Sequence, residues 1–276
     1  MSMSYATLMV NLDVGRPNKA CLHIAGELAA RFEARLIGVA GADLQPQLYF
    51  AEGAAAAELI EKERGWLTSQ IANCEKEFRN ELKTLGDRIE WRGALEWPTG
   101  FVARNARAAD LVIAGSAAGR TDTARQVDRG GLVMQAGRPV LIVPSETEWL
   151  RLKTVVVAWK DTREARRAVN DALPLLHLAR EVVVIELLEG DANPADAKTR
   201  GADVARWLTR HKINASSIST KALIGLAGQL CIAAQDEGAD INVAGAYGHT
   251  RFQEWLFGGV TRELLSQHKH CVLLSH

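Results

Sequence analysis

One stretch near the carboxyl end concentrates the residues most able to do chemistry. It reads Gly245-Ala-Tyr-Gly248-His249-Thr-Arg251-Phe-Gln-Glu-Trp-Leu-Phe-Gly258-Gly259-Val260-Thr261. An apolar run, Ile241 to Ala244, leads into it, and a helical pattern, Val260 to Ser266, leads out. Glycines between a strand and a helix let the backbone approach a ligand closely. The N–H groups at the helix start then favour an anion. Gly248 permits a positive φ in the turn. Gly258, Gly259 and Val260 place N–H groups at the helix start. Thr261 can cap that start or donate to a phosphate oxygen, and Arg251 and His249 stand within the loop. This chemistry is phosphate binding, and the ordinary alternative is a flexible glycine turn.

The elements that must position this loop follow a repeat. Short apolar strands alternate with longer helical patterns, which argues for parallel sheets covered by helices. In the first half, strands are expected at Thr7–Leu12, Arg35–Val39, Arg88–Arg92, Leu111–Ala114 and Val140–Val143. Helices are expected at Lys19–Arg31, from about Ala54 to Leu85, and at Gly100–Ala108. The long helix has one apolar face, Ile60, Leu67, Ile71, Cys74, Phe78, Leu82 and Leu85. In the second half, strands are expected at Thr154–Trp159, Val182–Leu187, Ser216–Lys221, Ile241–Ala244 and Val272–Leu274. Its helices are expected at Glu164–Leu178, Ala195–His211, Gly228–Asp236 and Val260–Gln267. Ala109-Asp110-Leu-Val-Ile-Ala-Gly115 matches Ala239-Asp240-Ile-Asn-Val-Ala-Gly245. The boundary falls near Pro144 to Arg151, giving domains over 1–147 and 148–276. Repeats of this length are whole domains rather than solenoid units.

Composition excludes several classes. The 276 residues carry 33 basic and 33 acidic side chains. Neither half has the basic bias of a nucleic-acid binder. No apolar run reaches about 18 residues, so neither a membrane span nor a signal peptide is expected. The four cysteines form no C-x-x-C pair, and Cys21 and Cys271 have apolar neighbours. A reduced, cytoplasmic setting is expected. His268, His270 and Cys271 lie close together, but no second cluster completes a ligand set, so no metal site is expected. No general base or nucleophile is assigned, which argues against an enzyme.

The chain resembles a tandem universal stress protein. The resemblance rests on G-x-x-G, nine residues, then G, met here by Gly245, Gly248 and Gly258. It covers both halves. It implies two open, parallel five-stranded sheets with helices on both faces, of the adenine-nucleotide alpha hydrolase-like kind. It also implies that the halves pair as an intrachain pseudo-dimer through their last strands, as a monomer or within a homodimer. The implied cofactor is ATP or another adenine nucleotide, with Mg²⁺ only alongside it.

Several positions depart from the family pattern. Gly259 stands where the family prefers a hydroxyl. An Asp that ends the family's first strand and contacts adenosine is replaced in the second half by Lys160, after Trp159. Lysine only donates, so Lys160 either meets a phosphate or another anion or is a surface lysine at the strand end. In the first half Asp13 occupies the Asp position, but its loop runs Gly115-Ser-Ala-Ala-Gly119, ten residues, then Gly130-Gly131. Arg120, Arg125 and Arg129 lie there. A solvated charged loop is the ordinary explanation, and an anion site the other. The expected function is a stress-response protein binding a small phosphate ligand in its second half. The alternatives are an interaction protein without a nucleotide, and a slow ATPase.

Overall fold

The computed structural model describes residues 4–45, 53–116, 122–188, 190, 193–222, 225–246 and 270–276. The chain divides into two compact units, Tyr5–Glu148 and Trp149–His276.

In the first unit, strands β1 (Thr7–Asn11), β2 (Arg35–Ala42), β3 (Ile89–Leu95), β4 (Leu111–Gly115) and β5 (Val140–Val143) form a parallel sheet. Their order is β3-β2-β1-β4-β5. Helices α1 (Lys19–Phe32) and α2 (Ala54–Glu81) pack together, as do α3 (Pro98–Asn105) and α4 (Arg129–Gln135). Parallel pairing needs crossover helices, and strands covered on both faces read as continuous apolar runs. β4 and β5 are buried along almost their whole length.

The second unit repeats the plan with β6 (Thr154–Trp159), β7 (Glu181–Leu188), β8 (Ala215–Lys221), β9 (Ile241–Gly245) and β10 (Cys271–Ser275). Their order is β10-β9-β6-β7-β8, again parallel. Its described helices are α5 (Arg163–Leu178), α6 (Pro194–Arg210) and α7 (Leu226–Asp236). The helix expected at Val260–Gln267 lies outside the described residues.

Asp110 and Asp240 do the same work in the two units. The Asp110 carboxylate accepts from Ala6 N and Thr7 N, at 2.8 and 2.9 Å. The Asp240 carboxylate accepts from Lys153 N and Thr154 N, at 2.7 and 3.2 Å. Each ties the start of its unit's first strand to its fourth.

The long helix begins at Ala54 as expected but ends earlier, and its first turns are less buried than its apolar pattern implies. It stops at Glu81, and a 3₁₀ segment, Lys83–Arg88, follows with Gly86 at φ 60°. Leu67, Ile71, Cys74 and Phe78 are buried, but Ile60 is half-buried and Leu59 is 52% exposed. The apolar face thus engages the sheet only along its later turns. The earlier turns are held by Arg125, which pairs with Glu63 at 2.6 Å and lies 4.6 Å over the Trp66 ring.

Asn242 in β9 is fully buried, and among the described residues neither its amide oxygen nor its amide nitrogen has a hydrogen-bond partner. Its repeat counterpart is Val112, also fully buried. An unsatisfied buried polar group costs roughly 1–3 kcal/mol. Asn242→Val should therefore raise the denaturation midpoint of the second unit. A fall on chemical unfolding would show that the amide has a partner in solution.

Candidate functional site

In both units the strand order reverses beside the first strand, between β1 and β4 and between β6 and β9. Ligands of open α/β sheets bind outside the carboxyl ends of the strands at such points.

In the second unit this point is bounded by Trp159 and Gly245, the last residues of β6 and β9. Trp159 is buried, and its indole N–H has no acceptor among the described residues. Lys160 follows it and is exposed. Gly245 is followed by Ala246, which is buried and donates to Ser275 O at 2.8 Å. Gly248, His249, Arg251, Gly258, Gly259, Val260 and Thr261 lie outside the described residues.

Gly245 has a packing reason to be glycine. A Cβ built there would stand 2.5 Å from Ala165 N and 2.6 Å from Glu164 C. These atoms belong to the first turn of α5, whose cap Thr162 accepts from Ala165 N at 3.3 Å. The β6–α5 connection is only Lys160–Thr162, whereas β1 and α1 are joined by Leu12–Asn18. The shorter connection brings the helix start onto the end of β9. In that turn, burial raises the Glu164 carboxyl. Hydrogen bonds from Arg163 and the backbone outweigh burial and leave it below its ordinary value. A carboxylate in a helix's first turn also meets the positive end of the dipole.

In the first unit Asp13 and Arg129 are both buried, each 6% exposed, so Arg129 does not belong to a solvated loop. The Asp13 Oδ1 accepts from Asn11 Nδ2 at 2.9 Å and from Val127 N at 3.1 Å. Its Oδ2 accepts from Arg129. The same guanidinium donates to Gly115 O at 2.8 Å and to Val127 O. Arg129 thereby ties the ends of β1 and β4 to the loop before α4. The start of α4 is also satisfied from within. The Asp128 carboxylate caps it, accepting from Gly131 N at 3.1 Å. Both the carboxylate and the helix start at this reversal point are bonded to the chain itself.

Beside this network lies a cavity of about 300 Å³ reached by Arg16, Lys19, Ser116 and Arg129. In α2, burial, then the charges of Glu77 and Asp13, push the Cys74 thiol up to about 11. A thiol so raised is a poor nucleophile at neutral pH. None of the four cysteines forms a disulfide. Among the described residues, no helix is long and apolar enough to cross a membrane, and no group of His, Cys, Asp and Glu could hold a metal ion.

Sequence reasoning did not find the roles of Asn11, Asn18 and Asp128. Asp128 carried a signal, since Asp is a favoured residue at the position just before a helix. The Asp13–Arg129 pair joins residues far apart in sequence and carried none.

No protein-family model matches the chain, and no curated protein matches it significantly. Solved structures do. A universal stress protein from Archaeoglobus fulgidus DSM 4304 superposes with a TM-score of 0.70 at 12% identity, covering 98% of this chain and 95% of that one. A protein of unknown function from Pseudomonas aeruginosa PAO1 gives 0.61 at 15% identity, covering 98% and 92%.

The chain has the universal stress protein fold. The likeness spans both units, so each half carries one open parallel sheet of that fold. A provisionally named universal stress protein from Pseudomonas aeruginosa UCBPP-PA14 gives a TM-score of 0.60 at 16% identity, covering 98% and 93%. In the fold's terms, Gly115 and Gly245 are corresponding ends of the fourth strand, and Asp13 and Lys160 are corresponding residues just past the first.

Proposed function

We propose that this chain is a cytoplasmic universal stress protein of two tandem domains, 1–147 and 148–276. Its second half binds an adenine nucleotide or another small phosphate ligand. The observation that carries this reading is the position of Gly245. It heads the G-x-x-G spacing and closes β9 where the strand order reverses. The buried indole N–H of Trp159 supports it, because a ligand oxygen would supply the acceptor it lacks among the described residues. Lys160 favours the phosphate over the ribose, since it offers donors only.

Calorimetric titration with ATP, ADP and AMP, each with Mg²⁺, should find one site per chain. Gly258→Asp should abolish that heat, because it sets a carboxylate against the phosphate. No heat with any of the three would remove the nucleotide, and heat unchanged by Gly258→Asp would move the site elsewhere.

A second reading suits the first half. Asp13 is engaged by Arg129, Asn11 and Val127, and the start of α4 by Asp128. This half has the fold with its nucleotide contacts satisfied internally, and it serves as a scaffold for contacts other than adenosine.

A further inference from the structure

The outer strand of the second unit's sheet carries a sequence that matches itself in reverse. We propose that β8 (Ala215–Lys221) pairs antiparallel with β8 of a second copy of this chain, about a two-fold axis at Ile218. The pairing needs no ligand, so it stands or falls apart from the nucleotide reading. β8 and β10 are opposite edges of that sheet, so this is not the last-strand pairing that the family resemblance implies.

The ladder to β7 fixes which groups point outward. Asn214 O accepts from Val182 N at 2.9 Å, and Ala222 N donates to Leu188 O at 3.0 Å. Even-numbered residues of β8 therefore turn their backbone groups toward β7. Alternation turns the N–H and C=O groups of Ala215, Ser217, Ser219 and Lys221 outward, where they meet no partner among the described residues. Helix α6 covers the odd-numbered side chains. A Cβ built on its Gly201 would meet Ser217 Cβ at 3.3 Å. Ile218 lies on the other face, in register with the buried Ile185 of β7, and is 37% exposed. The apolar face of the sheet thus runs to its edge and ends there half-covered.

A second copy completes both features. An antiparallel register about Ile218 sets Ser217 against the second copy's Ser219, Ser216 against its Thr220 and Ala215 against its Lys221. Ser thus meets Ser or Thr on either side of the axis. Odd-numbered residues meet odd-numbered ones, so each of those pairs exchanges both hydrogen bonds. The two Ile218 side chains meet in a pair without hydrogen bonds, where side chains stand closest. The contact is the same patch on both copies and closes at a dimer. No charge stands between Ala215 and Thr220, and the two Lys221 ammonium groups fall at opposite ends of the ribbon. Charges are a usual guard on an edge strand. The outer strand of the first unit, β3, has that guard in Glu90 and Arg92, which pair at 2.7 Å.

Sedimentation velocity of the full chain over a concentration series should show a reversible monomer–dimer equilibrium, as suits a small interface. Ile218→Lys should weaken the dimer about tenfold, because like charges then stand directly opposite. Its thermal stability as a monomer should stay near that of the parent, since the side chain is exposed. Ser219→Pro removes an outward N–H, leaves the ladder to β7 in place and should weaken the dimer as well. Ile218→Cys should crosslink two copies under mild oxidation, above the level of the parent, because opposed Cα atoms in such a pair stand about 4.5 Å apart. Ser216→Cys should not, because its own counterpart lies across the axis, several residues along the ribbon. A dimer that survives both Ile218→Lys and Ser219→Pro overturns the proposal, as does crosslinking no greater at 218 than at 216. A parent that stays monomeric also overturns it and leaves the edge to a strand of another protein.

Discussion

Arg129→Met should destabilise the first unit by about 3–5 kcal/mol, the cost of leaving a buried charge without its partner. The magnitude follows from how completely the pair is enclosed. Both residues are only 6% exposed. Removing the guanidinium strands the Asp13 carboxylate and leaves Gly115 O and Val127 O without their donor. Chemical denaturation of the full chain, following the transition of the first unit, measures the loss. Arg129→Lys should recover only part of it, because an ammonium cannot reproduce the planar fork that reaches Asp13, Gly115 and Val127 together. Asp13→Leu combined with Arg129→Met should cost well under the sum of the single losses, since neither charge is then left alone. A loss below about 1 kcal/mol for Arg129→Met would mean that the pair is solvated and that the crevice is open to other ligands.

Most of the architecture was legible because its signals are local. The apolar runs Val140–Val143 and Thr154–Trp159 are strands at the expected bounds. Periodicity put the buried face of α2 on Leu67, Ile71, Cys74 and Phe78. It also included Ile60 and carried the helix to Leu85, because periodicity knows nothing of how far the sheet extends beneath a helix. Gly86 at φ 60° is where the helical path had to end. The candidate sites were less legible for the opposite reason. Asp13 stood out as a carboxylate past the first strand. What it does depends on Arg129, and only the tertiary fold brings that residue to it. The three arginines of the 120–129 stretch looked alike in sequence. In the fold Arg129 is buried on Asp13, while Arg125 lies on Glu63 and Trp66. Gly245 was legible as a glycine that must stay glycine, but the close neighbour is the backbone of α5 rather than a ligand.

That last point separates two glycines that the repeat makes equivalent. Gly245→Ala should cost about 3 kcal/mol, at the upper end for overpacking. Gly115→Ala should cost less than about 1 kcal/mol on the same scale. At Gly245 the added carbon meets backbone atoms at 2.5 and 2.6 Å, and backbone in a capped helix turn cannot move without losing the cap. At Gly115 it meets only Cys21 Sγ at 3.3 Å, a side chain that can shift by a few tenths of an ångström. The difference traces to the connection before each helix. Lys160–Thr162 is too short to hold α5 away from β9, and Leu12–Asn18 leaves α1 room. Equal costs at the two positions would contradict this account of the α5 approach. The comparison also bears on the ligand. Loss of phosphate binding in Gly245→Ala would not place the ligand against Gly245, because displacing α5 disturbs the whole crevice. Binding measured in Gly258→Asp, well below its unfolding transition, is the cleaner assignment, since it adds charge within the loop itself and leaves the contact between Gly245 and α5 in place.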